Sequence, residues 1–133
     1  MFCRDLMQPV ILKCRPGDSA QTCALVMELE RTDQVPIVDD DECFLGVVTD
    51  RDLALRVVGE NLSPRTPVGE IMGSDPPLVC APGDDLAELK SIWSTRRAQS
   101  AWVVDDAHRC VGTIRARDLH RSPEESNAQT FRR

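Results

Sequence analysis

Aromatic side chains are scarce in this sequence: it has no tyrosine, three phenylalanines and two tryptophans among 133 residues. Its core must therefore be aliphatic, packed by Val, Leu, Ile and Ala. Positive charge is also in deficit, with 16 Lys and Arg against 22 Asp and Glu and a net charge of −6. Binding to nucleic acid relies on Lys and Arg contacts to phosphate, so this balance argues against nucleic acid as a partner. The local cluster of arginines at 115, 117 and 121 suits a small anion instead. No apolar run approaches the roughly 20 residues of a membrane span, and no membrane association is expected. The opening stretch MFCRDLMQPV carries Arg4 and Asp5 with no signal-peptide core behind them, which predicts a cytoplasmic protein. The six cysteines form no CxxC and no metal-ligand spacing, so in a reducing compartment they are expected as free thiols packed like small hydrophobes.

An internal repeat is present. The tripeptide PGD occurs at 16 and at 82, a shift of 82 − 16 = 66. VPIVDD at 35 and AWVVDD at 101 differ by 101 − 35 = 66, and Gly46 and Gly112 by 112 − 46 = 66. Over 35–53 against 101–119, seven positions are identical: Val38, Asp39, Asp40, Gly46, Arg51, Asp52 and Leu53. One shift across separated blocks identifies two copies of one unit.

Each copy reads as β-α-β-β-α. After the Pro-Gly-Asp turn, Ala20, Cys23, Ala24 and Met27 fall at i, i+3, i+4 and i+7, one face of a helix; Leu86, Leu89 and Trp93 repeat that face. Strands follow at 35–38 and 101–104, then acidic turns, then strands at 44–48 and 110–114. Helices start near Asp50 and Ala116. Lead strands are expected near 11–14 and 78–81. The Pro- and Gly-containing stretch 59–67 reads as a linker, and the polar stretch 122–133 as a disordered tail. The organisation is thus a first repeat at 4–58 and a second at 68–121. Neither copy has the residues for a comfortable core alone, so the expected fold is α/β (α+β): two repeats packed face to face with pseudo-two-fold symmetry in one cooperative domain.

The combination of RDLM and GEIM ahead of the copies with VPIVDDDECFLGVVTDRDL and AWVVDDAHRCVGTIRARDL resembles the tandem CBS-domain pair, or Bateman module, of the stand-alone bacterial and archaeal type. The resemblance runs from about Arg4 to Arg121. It implies a regulatory module rather than an enzyme, with no obligatory cofactor, binding adenosine nucleotides (AMP, ADP, ATP) or S-adenosylmethionine in a cleft between the repeats. Thr49 and Asp52 of the first copy match the family's ligand-contacting Thr and Asp, the Asp holding the ribose hydroxyls. Arg51 is placed to meet phosphate, and Val35 and Pro36 form the wall against adenine. The second copy retains Arg117 and Asp118 but has Arg115 in place of the Thr, with Ala101 and Trp102 at the wall. Arg115 either adds a cation for phosphate or fills the pocket, and Trp102 either stacks on a base or packs in the core. The family also implies a disc-shaped homodimer through the second helices; Leu53, Ala54, Val57 and Val58 form the stripe expected to be exposed for it. An effector protein downstream is expected but not identified by any residue.

Alternatives stand beside these readings. Thr49-x-x-Asp52 is equally the pattern of a helix capping box, although Asp118 persists where Arg115 has removed the capping hydroxyl. Arg51 and Arg117 suit either phosphate or surface pairing with Asp39, Asp40, Asp105 or Asp106. Cys14 and Cys80 occupy equivalent positions, since 80 − 14 = 66, as buried thiols or as a redox pair. His108 and His120 have no companions that suggest catalysis or a metal. A module that has lost nucleotide binding and contacts a partner protein, with redox of its cysteines as the control, is therefore the second hypothesis.

Overall fold

The computed structural model describes residues 1–73 and 76–119. In chain order the elements are α1 (Cys3–Leu6), β1 (Gln8–Pro9), α2 (Ala20–Glu30), β2 (Gln34–Val38), β3 (Phe44–Thr49) and α3 (Asp50–Asp52), which runs on as a π-helix over Leu53–Val58. A 3-10 turn at Val68–Glu70 follows, then β4 (Leu78–Cys80), α4 (Leu86–Trp93), β5 (Ser100–Val104), β6 (Cys110–Arg115) and a 3-10 turn at Ala116–Asp118. The mixed α+β content matches the expected fold class.

The same local chemistry builds both hairpins. In β2–β3, Val35 pairs with Val48 and Ile37 with Gly46; in β5–β6, Ala101 pairs with Ile114 and Val103 with Gly112. Each turn is closed by one aspartate. Asp39 Oδ1 accepts from the N–H groups of Asp41 and Cys43 at 2.9 Å each, and Asp105 Oδ1 from those of Ala107 and Arg109 at 2.9 Å each. These are Asx-type bonds, which bind the turn to its own carboxylate and let the strands start in register. The acidic turns are thus hairpin caps.

The chain divides into two compact units, Ile11–Pro76 and Met1–Val10 with Pro77–Arg133. In the first, Ser19 caps α2 by accepting from the Thr22 N–H at 3.0 Å, and Arg31 closes its far end in the left-handed conformation. Ala20, Cys23 and Met27 enter a core with Cys14, Val35, Ile37, Val48, Val57, Val68 and Ile71. Ala24, expected on this face, is exposed. At 100° per residue it lies about 100° round the helix from Cys23, at the margin of a stripe that Val26 completes on the other side. In the second unit, Leu86, Leu89 and Trp93 pack as expected with Leu78, Cys80, Ala101, Val103 and Ile114, and Trp93 Nε1 donates to Ala98 O at 2.8 Å. The sheet order there is β1-β6-β5-β4, with β4 parallel to β5 and the other pairs antiparallel.

The two units do not coincide with the two sequence copies. Cys3, Leu6 and Met7 of the first copy's lead segment complete the core of the second copy's hairpin. Val68, Ile71 and Met72 of the second copy's lead segment complete the first. This exchange explains how each unit obtains its own core, where the sequence predicted that only a joint one would suffice. The chain passes between units at 10–11 and 76–77. The stretch 59–67, expected as a linker, is part of the first unit: the N–H groups of Ala20 and Gln21 donate to Thr66 O at 2.8 Å and Pro64 O at 3.0 Å. These bonds satisfy the free donors at the start of α2.

Two further expectations differ in detail. The lead strand near 11–14 is reduced to a single parallel bridge, in which Cys14 N–H donates to Pro36 O at 3.1 Å and Val38 N–H to Cys14 O at 2.9 Å. Pro36 has no N–H for a ladder, so one residue's worth of bonding is what this edge of β2 sustains. The helix after Ala116 is seen as one 3-10 turn; its continuation, and the stretch 122–133, lie outside the described residues.

Candidate functional site

Thr49 ends β3 and caps the helix that follows. Its Oγ1 accepts from the Asp52 N–H at 3.0 Å, and Asp52 Oδ2 accepts in return from the Thr49 N–H at 2.9 Å. The capping box is therefore formed. It uses one carboxylate oxygen. Asp52 Oδ1 carries no protein hydrogen bond among the described residues, and the half-buried side chain is held rigidly by its partner oxygen. Structural and ligand-binding readings of this aspartate are compatible, because the two oxygens divide the work.

Arg51 next to it is exposed, and its guanidinium forms no ion pair among the described residues. The acidic turns are occupied elsewhere: Arg15 reaches Asp40 at 3.5 Å and Glu42 at 3.0 Å, and Arg109 reaches Asp105 at 3.2 Å. Pairing of Arg51 or Arg117 with those aspartates is thus not what the fold uses. Val35 is buried in the core of its unit, and Pro36, on the alternate face of β2, is buried as well.

The second set is organised differently. Asp118 is only 2% exposed and Trp102 4%, while Ala101 is fully buried. Arg115 is half-buried, with no side-chain cap on the turn, and Arg117 is exposed. Trp102 is thus buried, as is Pro36, its counterpart in the first copy. The structure brings Thr49, Arg51 and Asp52 together at the end of β3, and Arg115, Arg117 and Asp118 at the end of β6. His108 lies exposed in the β5–β6 turn, and His120 is outside the described residues.

Sequence reasoning missed two residues beside Asp52. A β-carbon at Gly73 would lie 3.6 Å from Asp52 Oδ1 and 3.8 Å from Oδ2, so the absence of a side chain there leaves the carboxylate uncovered. Aligning RDLM with GEIM puts Gln8 at the position of Gly73, and Gln8 is buried. That difference was legible in the sequence. Arg56, the second residue, donates from Nη1 to Ile71 O at 3.0 Å and Met72 O at 2.9 Å, fixing the segment that leads to Gly73.

A family model, described as CBS domain, matches residues 3–59 and again 68–125. The chain belongs to the CBS-domain family. A relative of similar length is the CBS domain-containing protein YhcV of Bacillus subtilis, 26% identical over 117 residues, which are 87% of this chain and 81% of that one. The chain also matches inosine-5'-monophosphate dehydrogenases, but it spans only 20% of the one from Rhodopirellula baltica. Among solved structures, CBSX2 in complex with AMP has a TM-score of 0.75 at 20% identity, covering 99% of this chain and 98% of that one. The CBS domain pair of protein MJ0100, in complex with 5'-methylthioadenosine and S-adenosyl-L-methionine, has a TM-score of 0.76 at 19% identity, covering 100% and 98%. At these identities the likeness establishes a shared fold. Among the described residues no helix is long and apolar enough to cross a membrane, and no group of three or more His, Cys, Asp or Glu is placed to hold a metal ion.

Proposed function

We infer that this CBS pair is a regulatory module that binds an adenosine nucleotide or S-adenosylmethionine through its first set of residues. The observation that carries the reading is the Asp52 carboxylate: one oxygen fixed by the backbone, the other uncommitted, beside an uncommitted arginine. An oxygen held in this way has two acceptor sites for the vicinal hydroxyls of a ribose, and the Thr49 hydroxyl hydrogen is available as a donor. Arg51 supplies a planar cation for phosphate or carboxylate. Val35 and Pro36 bring β2 alongside as the wall for an adenine. The AMP, 5'-methylthioadenosine and S-adenosyl-L-methionine in the complexes of two structural neighbours support this ligand class.

Binding is passed on by a change of shape or of self-association, with an effector protein downstream. The helix over residues 50–58 supplies a surface for a homodimer, with Ala54 and Val58 of the expected stripe exposed and its other two members turned inward. Leu53 and Val57 pack on the core of their own unit, whereas Ala54, Leu55 and Val58 face outward, Val58 with 79% of its surface exposed. Leu53 and Val57, four apart, share the inner face, and Ala54, Leu55 and Val58 are turned away from it.

A second reading is favoured by the second set alone. With Asp118 and Trp102 both buried, that half resembles a structural core more than an open site, as in a module that works by protein contact. Thermal unfolding against AMP, ADP, ATP, NAD and S-adenosylmethionine separates the two. A ligand at one hundred times its dissociation constant stabilises by about 2.7 kcal/mol, a shift of several degrees for a domain of this size. The Asp52→Asn variant keeps an acceptor for the Thr49 N–H but cannot accept both hydroxyls through an ionised group. Nucleotide stabilisation that disappears in Asp52→Asn supports the sensor; flat curves across the panel for the unmodified protein overturn it.

A further inference from the structure

Each core cluster contains two thiols, and Cys110 is buried outside the cluster of its unit. Cys14 and Cys23 share the core of Ile11–Pro76, and Cys3 and Cys80 share the other. Neither pair is the Cys14–Cys80 couple suggested by repeat symmetry, whose members lie in different units. Within each pair the two thiols bear on one another's titration: Cys14 is lowered and Cys23 raised from the ordinary value by their mutual interaction, and Cys3 and Cys80 likewise.

The surroundings of the two pairs differ. Cys23 is in the second turn of an eleven-residue helix held at both ends, and Cys14 and Cys23 are 1% and 0% exposed. Cys3 instead opens the four-residue helix α1, which is attached by a few backbone bonds. Cys3 N–H donates to Asp84 O and Arg4 N–H to Pro82 O at 2.9 Å each, and Leu86 N–H donates to Met1 O at 2.9 Å. A helix this short is marginal without its packing, so it can open locally while the rest of the unit stays folded, at the cost of exposing the buried Cys3 and Leu6. Cys80, at the end of β4, already shows 6% of its surface.

We propose that Cys3 and Cys80 form a reversible intramolecular disulfide, a modification site that ties the lead segment carrying α1 and β1 to strand β4. The oxidant is a low-molecular-weight disulfide. On detachment of α1, the Cys3 thiolate attacks one sulfur of that disulfide and expels its other half as a thiolate, leaving a mixed disulfide on Cys3. When α1 re-docks, the Cys80 sulfur, its proton passing to water, attacks the Cys3 sulfur and expels the second small thiolate. Two protein thiols have lost two electrons and two protons, and the small disulfide has become two thiols. Cys3 is the better first nucleophile. It is carried on the short helix that detaches, whereas Cys80 is fixed in strand β4.

The product closes a loop that contains the whole of Ile11–Pro76, so it restricts the unfolded chain strongly. It also pins Met7 and Gln8 against β6, where Gln8 pairs with Thr113 and Pro9 with Gly112. Oxidation is therefore read as a higher unfolding temperature. It does not require the nucleotide reading to be correct.

The test uses the full chain in a series of reduced and oxidised glutathione mixtures, followed by acid quench, thiol alkylation, and peptide mapping without reductant. The expected result is a peptide linking Cys3 to Cys80, loss of alkylation at both residues, reversal by dithiothreitol, and an unfolding temperature several degrees above that of the reduced protein. A Cys80→Ala chain should stop at the mixed disulfide on Cys3. If that variant does not fold, mapping of the unmodified chain still decides. Free alkylation of both residues across the series overturns the proposal, and so does linkage of Cys14 to Cys23 with Cys3 and Cys80 left reduced.

Discussion

Gly112 of strand β6 lies directly under Met7 of the exchanged lead segment: a β-carbon at 112 would stand 2.7 Å from Met7 Sδ and 2.9 Å from Gln8 O. The equivalent Gly46 meets Met72 Sδ at 3.3 Å, with no backbone atom as near. A thioether can swing away, but a carbonyl engaged in a sheet cannot. Gly112→Ala should therefore destabilise by about 2–3 kcal/mol, and Gly46→Ala by less than about 1 kcal/mol. Urea unfolding of the two variants measures the difference; equal losses would mean that Met7 and Gln8 shift together.

Gly73 tests the proposed site without touching the capping box. Its missing side chain leaves the Asp52 carboxylate uncovered, whereas Gln8 takes the corresponding place in the second copy. Gly73→Gln should abolish nucleotide stabilisation while leaving the unliganded unfolding temperature nearly unchanged. Retained stabilisation would show that the ligand approaches Asp52 from another side. Asp52→Ala, by contrast, removes the reciprocal bonds to Thr49 and should also cost about 1 kcal/mol in the unliganded protein.

Arg56 holds two carbonyls with a single nitrogen, Ile71 O at 3.0 Å and Met72 O at 2.9 Å. Replacing it by leucine leaves both acceptors near the protein interior without a charged donor. The expected cost is about 1–3 kcal/mol, and with it a looser approach to Gly73. Unfolding by denaturant and the nucleotide titration should both register the change, the second as weaker binding with the same ligand preference.

Much of this arrangement was legible in the sequence because the repeat makes two observations of every element. The register of both hairpins, the aspartate-closed turns and the Leu86, Leu89 and Trp93 face follow from patterns that occur twice or have the right period. What the sequence could not disclose is the exchange of lead segments, since RDLM and GEIM carry no mark of which sheet they will cover. The same blindness explains the dimer stripe. Leu53 and Val57 are as apolar as Val58, and only the placement of Val68 and Ile71 shows which of them find a core. Of the proposed site, Thr49 and Asp52 are marked by a motif, whereas Gly73 enters only through the side chain it lacks beside Asp52. Pro64 and Thr66 signal the break between the repeats but not the carbonyls that this stretch turns toward α2.

Asp105 predicts a pH effect. The N–H groups of Arg109 and Ala107 and the Arg109 guanidinium hold its carboxyl below the ordinary value, the Arg109 backbone bond contributing most. A carboxyl depressed in the folded state adds stability above its unfolded pKa of about 3.9, and that contribution is lost as pH falls through the folded value. The Asp105→Asn variant keeps an acceptor but does not titrate there. Its stability deficit relative to the unmodified chain should be constant near neutral pH and shrink as the pH falls below about 4. A deficit independent of pH would show that only the hydrogen bonds matter.

The two hairpin turns also contain matched strain. Glu42 and His108, 108 − 42 = 66 positions apart, adopt φ of 66° and 63°, in the left-handed region that glycine enters without penalty. His108 is exposed with no ion pair among the described residues, so His108→Gly should relieve the conformation and stabilise by about 0.5–1 kcal/mol, less the added freedom of the unfolded chain. Glu42 is different, since it receives Lys13 at 3.4 Å and Arg15 at 3.0 Å. Glu42→Gly gains the same relief and loses both exposed pairs, which are together worth about 1 kcal/mol or less, so its net change should be near zero. Thermal unfolding at low and high salt distinguishes the contributions: added salt screens the Glu42 pairs and should bring the Glu42→Gly variant level with or above the unmodified protein, while the gain from His108→Gly should not depend on salt.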